Sequence, residues 1–221
     1  MSDCSPFSSS NSSWLIVDTP IILASKSASR MAILDGALIE YSSVPANIDE
    51  LAIRTSCEAE EITPEGIAVI LAEMKAQLVA QSRTDALVIG SDQILVCEGR
   101  IFGKPSTKKE ASEILHYLQG KSHQLFTSVV IFKFGRRIWH HNALSTLVVR
   151  SLSTAEINDY LNVLGNAAFQ TPGCYQIEGI GAHLFTDMSG NYYDILGLPL
   201  LPLLAFLREH GLTLSEGEVF R

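Results

Sequence analysis

The residues best placed to do chemistry are Ser91, Asp92 and Gln93, which interrupt an apolar run at 87–97. The rest of the run is mostly Val, Ile and Leu, a composition that favours a buried β-strand. An ionised carboxylate in such a strand is costly unless it pairs with a cation, accepts hydrogen bonds or binds a metal. Lys104, in the Gly-Lys-Pro segment that follows, is one cation that could pair with Asp92. The pattern therefore fits either a structural ion pair or a catalytic carboxylate.

A second group of polar residues lies in the Ser-rich segment 25–30, between an apolar strand and an amphipathic helix. Backbone N–H groups at a helix N-terminus, together with nearby hydroxyls, bind anions such as phosphate. The segment therefore predicts a phosphate site formed by Ser25, Ser27 and Arg30. The alternative is that Ser27 or Ser29 simply caps the helix.

Further charged residues are Asp49, Glu50 and Lys75. Two adjacent carboxylates at a strand exit are usually solvated or cap a helix, and a helical lysine beside an apolar stripe usually reaches solvent. Lys75 follows Met74 in a helix that starts with Thr63 as its N-cap, so its ammonium can reach the edge of a cleft. We expect the buried stripe of that helix to be Ile67, Ile70, Leu71, Met74 and Leu78.

A Gly-rich segment at 173–181 contains Glu178, and we expect it to continue into a strand over 182–186. A carboxylate in an apolar strand raises the same question as Asp92. The glycines let the backbone approach a ligand closely. We expect no helix after the segment, so it is not a dinucleotide-binding fingerprint.

Carboxylates and cations in one cleft suit a polyphosphate held together with Mg²⁺ or Mn²⁺. Such metals take oxygen ligands from one or two carboxylates and from the phosphates themselves. Asp92 would bind the metal or orient the attacking water, while lysine or arginine neutralises charge on the bridging oxygens. Hydrolysis of a phosphoanhydride is the chemistry that this set of residues favours.

Composition limits the class of protein. With 221 residues, 47% hydrophobic and 18% charged, the chain has room for one large domain or two small lobes. Its net charge of −8 argues against a protein that binds the nucleic-acid backbone. The four cysteines have no CxxC spacing, and His123, His140 and His141 lack the spacing of a metal site.

The expected organisation is a disordered Ser-rich tail at 1–18, a single α/β domain over 19–212 and a C-terminal tail at 213–221. The start of the chain lacks the apolar core of a signal peptide. The apolar run 195–207 contains two prolines and is too short to span a bilayer. We therefore expect a soluble, cytoplasmic protein with neither membrane nor nucleic acid as a partner.

Taken in order, these motifs resemble the Maf family of nucleoside triphosphate pyrophosphatases across about residues 21–210. The family pattern L-A-S-x-S-P-R-R is similar to residues 23–30, and V-G-L-P-L is similar to 196–200. T-H-x-V-Y-T-G-V is similar to 122–129. Shorter family motifs match Asp49-Glu50, Lys75-Ala76, Gly90-Ser91-Asp92 and Gly103-Lys104-Pro105.

The resemblance implies an elongated α/β fold, with a mixed central sheet flanked by helices and a cleft between two lobes. It also implies metal-dependent cleavage of a nucleoside triphosphate to the monophosphate and pyrophosphate, with Mg²⁺ or Mn²⁺ as cofactor. Asp92 matches the family's proton acceptor, and Arg30, Glu50, Lys75 and Lys104 match positions that handle phosphate and metal. Glu50 and Asp92 would then be the metal ligands.

Some residues depart from the family pattern and bear on substrate choice. Ala28 and Ser29 replace a proline and an arginine, which removes one cation. Gln93 and Glu178 are typical of members that resemble 7-methyl-GTP pyrophosphatases, whereas members acting on dTTP and UTP have Thr and Gln there. Glu178 can accept hydrogen bonds from a guanine edge or attract a positively charged methylated base. Ser29 matches neither subgroup.

Two other functions stay open from the sequence. One is a house-cleaning enzyme of the inosine triphosphatase type, and the other is a non-catalytic nucleotide-binding regulator of cell division. The sequence does not determine oligomeric state, and a homodimer is one arrangement that it allows.

Overall fold

A mixed sheet of seven strands forms the centre of the protein, and a two-stranded ribbon pairs the two ends of the described chain. The computed structural model describes residues 15–16 and 19–214, so most of the predicted tails, 1–18 and 213–221, lies outside the described residues. The strands are β1 (Leu15–Ile16), β2 (Ile21–Leu23), β3 (Ser42–Ser43), β4 (Leu87–Cys97), β5 (Arg100–Phe102), β6 (Ser122–Lys133), β7 (Arg136–Val149), β8 (Phe185–Ser189) and β9 (Thr213–Leu214).

Helices flank this sheet. They are α1 (Ala28–Gly36), α2 (Glu50–Ala59), α3 (Pro64–Ala80), α4 (Lys108–Leu118), α5 (Thr154–Leu164), α6 (Tyr192–Ile195) and α7 (Leu200–Glu209), with short 3₁₀ segments at Gly165–Phe169 and Ile180–Leu184. Among the residues that the structure describes, no helix combines the length and apolar character needed to cross a membrane.

The seven strands lie in the order β3-β2-β4-β6-β7-β8, and β5 pairs with β4. β2 runs parallel to both β3 and β4, whereas β4, β6, β7 and β8 are antiparallel neighbours. Leu87 and Ile89 pack with α1 and α7 on one face of the sheet, while Val88 packs with α3 on the other. The predicted mixed α/β sheet flanked by helices is confirmed.

Strand β4 connects the separate apolar regions of the protein. Its first residues belong to the clusters around α1, α3 and α7, and Leu95 and Cys97 belong to the cluster built with α4 and α5. Between these apolar ends lie Ser91 and Asp92, which are buried, and Gln93, which is half-buried. The polar residues predicted to be functional therefore occupy the middle of β4, the strand that contributes to each of these apolar clusters.

The predicted buried stripe of α3 is wrong in part. Met74 and Leu78 are exposed, and Lys75 lies on the buried face of the helix. The side chains that face the sheet include the small residues Ala68, Ala72 and Ala76, all of which are buried. Because alanines let the helix approach the strand closely, the buried face is rotated away from the larger apolar residues.

The predicted strand over 182–186 is also wrong for most of its length. Residues 180–184 form a 3₁₀ segment, and the strand begins at Phe185. A Cβ atom at Gly181 would lie 2.4 Å from the carbonyl oxygen of Gln176, so the chain folds back on itself here. Glu178 consequently lies in an exposed turn and not in an apolar strand.

Replacing Gly90 with alanine tests the close contact between α3 and β4. A Cβ atom there would lie 2.2 Å from the carbonyl oxygen of Ala72, so the helix must move away from the strand. We expect Gly90→Ala to lower the free energy of unfolding by about 1–3 kcal/mol, the usual range for overpacking. Denaturant unfolding measures the change.

Gly36→Ala is the matched control, because nothing lies within 4 Å of a Cβ built at Gly36. We expect it to change the free energy of unfolding by less than about 1 kcal/mol, through the unfolded chain alone. Equal effects of the two substitutions would contradict the close packing at Gly90.

Candidate active site

A buried ion pair between Asp92 and Lys75 forms the centre of the site. Lys75 Nζ lies 2.5 Å from Asp92 Oδ1, and each residue is only 6% exposed. The same ammonium lies 2.7 Å from Glu50 Oε1 at the start of α2, which Asp49 caps through its carboxylate. Asp92 therefore pairs with Lys75 and not with Lys104, the cation that the sequence suggested. Lys75 reaches the site because it lies on the buried face of α3.

Arg30 forms a second buried cation, at the N-terminal end of α1. It is 8% exposed; its Nε donates to the carbonyl oxygen of Gly197 at 2.8 Å, and its Nη1 donates to Ser25 Oγ at 3.3 Å. Ser27 caps α1, and its backbone N–H donates to Ser25 Oγ at 3.2 Å. Ser27 thus caps the helix, which was one of the two alternatives for this segment, and the three residues predicted to bind phosphate meet at the same helix end.

Burial and charge act against each other in this site. Burial lowers the pKa of Arg30, although Asp92 and Glu50 oppose this effect. Burial opposes ionisation of Glu50, but Lys75, Lys104 and Arg30 together hold the pKa of Glu50 below its usual value. Loss of solvation likewise lowers the pKa of Lys104, against the attraction of Glu50.

Cations outnumber carboxylates among these five side chains. Lys104 keeps much of its surface exposed, whereas the other two cations, Lys75 and Arg30, are buried. Two carboxylates held among three cations leave an excess of positive charge. Such an excess suits a polyphosphate, whose negative charge would complete the pairing of the site.

The three residues predicted to select the base, Ser29, Gln93 and Glu178, line a narrow cleft of about 40 Å³. Gln93 Nε2 lies 2.8 Å from Thr127 Oγ1 and 3.0 Å from the carbonyl oxygen of Asp194, so its N–H groups are engaged. Its amide oxygen accepts no hydrogen bond from the residues that the structure describes. Ser29 Oγ donates to Glu178 Oε1 across a long 3.4 Å contact, which forms one wall of the cleft.

Sequence reasoning included Ser91 and Gly197 in its motifs but missed the contacts by which they hold this site together. Ser91 Oγ lies 2.8 Å from the carbonyl oxygen of Ser128 and 2.9 Å from that of Gly197, the same carbonyl that Arg30 contacts. Gly197 has φ +94°, a conformation that favours glycine. The Gly-Leu-Pro segment was visible in the sequence, but its backbone contacts were not.

The carboxylates fit a divalent cation only in a limited way. No group of three or more His, Cys, Asp or Glu side chains that could hold a metal occurs in the part of the chain that the structure describes. Glu50 and Asp92 share one ammonium and so supply two carboxylates at one place. This donor set fits Mg²⁺ that takes its remaining ligands from substrate phosphates and water.

Comparisons with known proteins place this arrangement in a family. Residues 20–210 match the sequence pattern described as Maf-like protein. The chain belongs to the Maf family. It is 43% identical over 190 residues to the nucleoside triphosphate pyrophosphatase of Granulibacter bethesdensis, a match that covers 86% of this chain and 96% of the relative. It is 42% identical over 188 residues to the 7-methyl-GTP pyrophosphatase of Brucella abortus, covering 85% and 94% respectively.

This Maf protein also contains a buried histidine behind the narrow cleft. His123 Nε2 lies 2.6 Å from the hydroxyl of Tyr175, whose ring lines the cleft. Burial lowers the pKa of His123 to about 4, so the ring is neutral near pH 7. The segment that follows Tyr175 carries Glu178, and the His123–Tyr175 contact anchors its start.

The pKa of His123 predicts a loss of stability in acid. Between its unfolded pKa near 6.5 and its folded pKa of about 4, the unfolded chain binds the proton more readily, so stability falls as pH falls. We expect His123 alone to cost about 3 kcal/mol of unfolding free energy between pH 7 and pH 4, at about 1.4 kcal/mol per pKa unit. Urea unfolding across this range measures the slope.

His123→Gln should flatten that slope, whatever it does to stability at pH 7. His116→Gln is the control, because His116 is exposed on α4. If His123→Gln kept the wild-type slope while His116→Gln reduced it, the burial of His123 would not be the cause.

Proposed function

We propose that this Maf protein is a nucleoside triphosphate pyrophosphatase that releases the nucleoside monophosphate and pyrophosphate. The observation that carries the proposal is the chain of ion pairs from buried Asp92 through buried Lys75 to the more exposed Glu50, beside Arg30. A carboxylate poised next to an excess of cations suits attack by water on a phosphoanhydride. The names of the relatives, with which the chain aligns over most of its length, support the same activity.

The proposed mechanism assigns the phosphates to the cations and the proton to a carboxylate. Arg30, Lys104 and the N-terminus of α1 bind the triphosphate, and Lys75 exchanges part of its contact with Asp92 for a phosphate oxygen. Asp92 then accepts a proton from the attacking water. The water oxygen bonds to the α-phosphorus, the bond from the α-phosphorus to the bridging oxygen breaks, and pyrophosphate leaves with the electron pair.

A divalent metal, Mg²⁺ or Mn²⁺, is part of this proposal, with Glu50 and Asp92 as its protein ligands. Bound there, it would neutralise charge on the phosphates and polarise the reacting group. Lys75 contacts both carboxylates and so holds them at one place before substrate arrives.

For substrate choice we propose a modified purine triphosphate of the 7-methyl-GTP type in preference to dTTP or UTP. Glu178 supplies an acceptor that matches the N1–H and N2–H donors of guanine, and its charge attracts a cationic methylated base. Gln93 has its amide nitrogen engaged by Thr127 and the backbone of α6, so it presents an acceptor as well. Two acceptors at the cleft favour a base that offers donors.

Asp92→Asn tests the catalytic assignment. Loss of the proton acceptor should lower kcat about 10²–10⁴-fold, the usual contribution of a general base, while KM changes little. Pyrophosphate release from a panel of nucleoside triphosphates with Mg²⁺ or Mn²⁺ measures both constants. Asp85→Asn, in the exposed turn just before β4, should keep wild-type rates.

A variant Asp92→Asn that turns over at the wild-type rate would refute the role of Asp92. If the wild-type protein bound nucleotides but released pyrophosphate from none of them, the non-catalytic regulator would be favoured. Highest turnover on inosine triphosphate would favour the inosine triphosphatase type.

Glu178→Gln tests base selection. Replacing the carboxylate should lower kcat/KM for 7-methyl-GTP relative to UTP by about tenfold, because one charge-assisted hydrogen bond is worth about 1.5–3 kcal/mol. Competition between the two substrates measures the ratio directly. Glu113→Gln, on the exposed side of α4, is the control and should leave the ratio unchanged.

A further inference from the structure

A large apolar cavity lies next to the narrow cleft. Its volume is about 680 Å³, and it opens between α1, α6 and α7. Most of its lining is aliphatic or aromatic, and includes Ile33, Tyr192, Leu196, Leu200, Leu204 and Leu212. Of the residues that line it, the proposed function uses only Glu178, so the apolar lining lacks an explanation in the phosphate chemistry.

The cavity and the narrow cleft share one wall. Ser29, Glu178 and Leu196 line both spaces. The polar contact across this wall is the 3.4 Å hydrogen bond from Ser29 to Glu178, which is long and lies between a small side chain and an exposed one. Ser29 and Glu178 therefore form the polar part of the boundary between the two spaces.

The sizes of the two spaces indicate what such a pocket would hold. The cleft alone, at about 40 Å³, has room for little more than a few water molecules. The cavity is in the range of small-molecule sites, about 300–1,000 Å³, which are mostly apolar with a few polar groups that fix orientation. Glu178 stands at the junction and supplies such a polar group.

We propose that this cavity receives an apolar substituent on the base of the nucleotide, and that N2-substituted guanine triphosphates are substrates of this protein. The inference rests on the proposed function and on guanine lying with its N1 and N2 edge towards Glu178. An N2 substituent replaces one of two amine hydrogens and leaves the other to donate to Glu178. The substituent then passes Ser29 and packs against Leu196 and Leu204.

The position of the substituent on the base is the sharpest test of this geometry. A group on N7 lies on the opposite edge of guanine and points away from the shared wall. The same group should therefore increase affinity when it is on N2 but not when it is on N7. Non-specific hydrophobic binding would increase affinity at both positions.

The experiment measures binding of monophosphates by calorimetry without metal, and turnover of the corresponding triphosphates with metal. N2-benzyl-GMP is compared with GMP, and 7-benzyl-GMP with 7-methyl-GMP, so that each pair has equal charge. We expect the N2-benzyl group to tighten binding at least tenfold and the N7-benzyl group to give no gain. The N2-benzyl triphosphate should show the same gain in kcat/KM.

Ala32→Trp fills the cavity from α1, and Ala155→Trp makes the same change on the exposed side of α5. We expect Ala32→Trp to remove the tenfold advantage of the N2-benzyl group and Ala155→Trp to keep it. Circular dichroism confirms that both variants fold.

Three results would overturn the inference: no gain from the N2-benzyl group, an equal gain from N7-benzyl, or an advantage that survives Ala32→Trp. A halved mass of Ala32→Trp by light scattering, with no effect on nucleotide binding, would instead assign the cavity to a subunit interface.

If GTP and 7-methyl-GTP are hydrolysed but N2-benzyl gives no gain, this inference alone fails. If no triphosphate is hydrolysed but N2-benzyl-GMP binds at least tenfold more tightly than GMP, the proposed hydrolysis fails, while the assignment of the cavity to the N2 substituent stands.

Discussion

The burial of the Lys75–Asp92 ion pair under α3 is the interaction on which the rest of the site depends. Removing two charges from water costs several kcal/mol per ion, and only close geometry with further partners offsets it. The 2.5 Å contact, with Glu50 as a second acceptor for the ammonium, supplies that geometry. The short residues Gly90, Ala72 and Ala76 bring the helix close enough to the strand for the contact to form.

This pair also explains why the site can exist before substrate binds. A buried carboxylate with no partner would be driven towards its neutral form, which is of no use as a proton acceptor. Lys75 supplies that partner to Asp92, and its ammonium also contacts Glu50 at 2.7 Å. A polyphosphate that binds here completes the pairing of an existing charge cluster, so the protein does not have to assemble one.

Local sequence signals predicted much of the scaffold. The apolar run of β4 and the Thr63 cap of α3 follow from strand propensity and capping chemistry. These signals did not predict the orientation of Lys75. The large apolar residues of α3 indicated the wrong buried face, because this helix packs on the sheet through alanines. Glu178 was misplaced because the tight backbone turn before Gly181 depends on contacts that sequence spacing does not reveal.

Which residues form the site was easier to predict than how they are connected. The motifs placed Arg30, Asp92 and Gln93 near one another, but the link between them is backbone. The carbonyl of Gly197 accepts from Arg30 and lies 2.9 Å from Ser91 Oγ, while carbonyls of α6, just before it, accept from Gln93. Backbone acceptors of this kind leave no side-chain signature in the sequence.

The segment from α6 to Gly197 thereby joins the phosphate side of the site to the base side. A Cβ atom at Gly197 would lie 3.6 Å from the guanidinium of Arg30 and 3.9 Å from Gln93 Nε2, so this residue stands between the two groups. The carbonyl of Ile195, one of the two that hold Gln93, lies two residues before the carbonyl of Gly197, which holds Arg30. One short backbone segment therefore connects Arg30, which is proposed to bind phosphate, with Gln93, which is proposed to face the base.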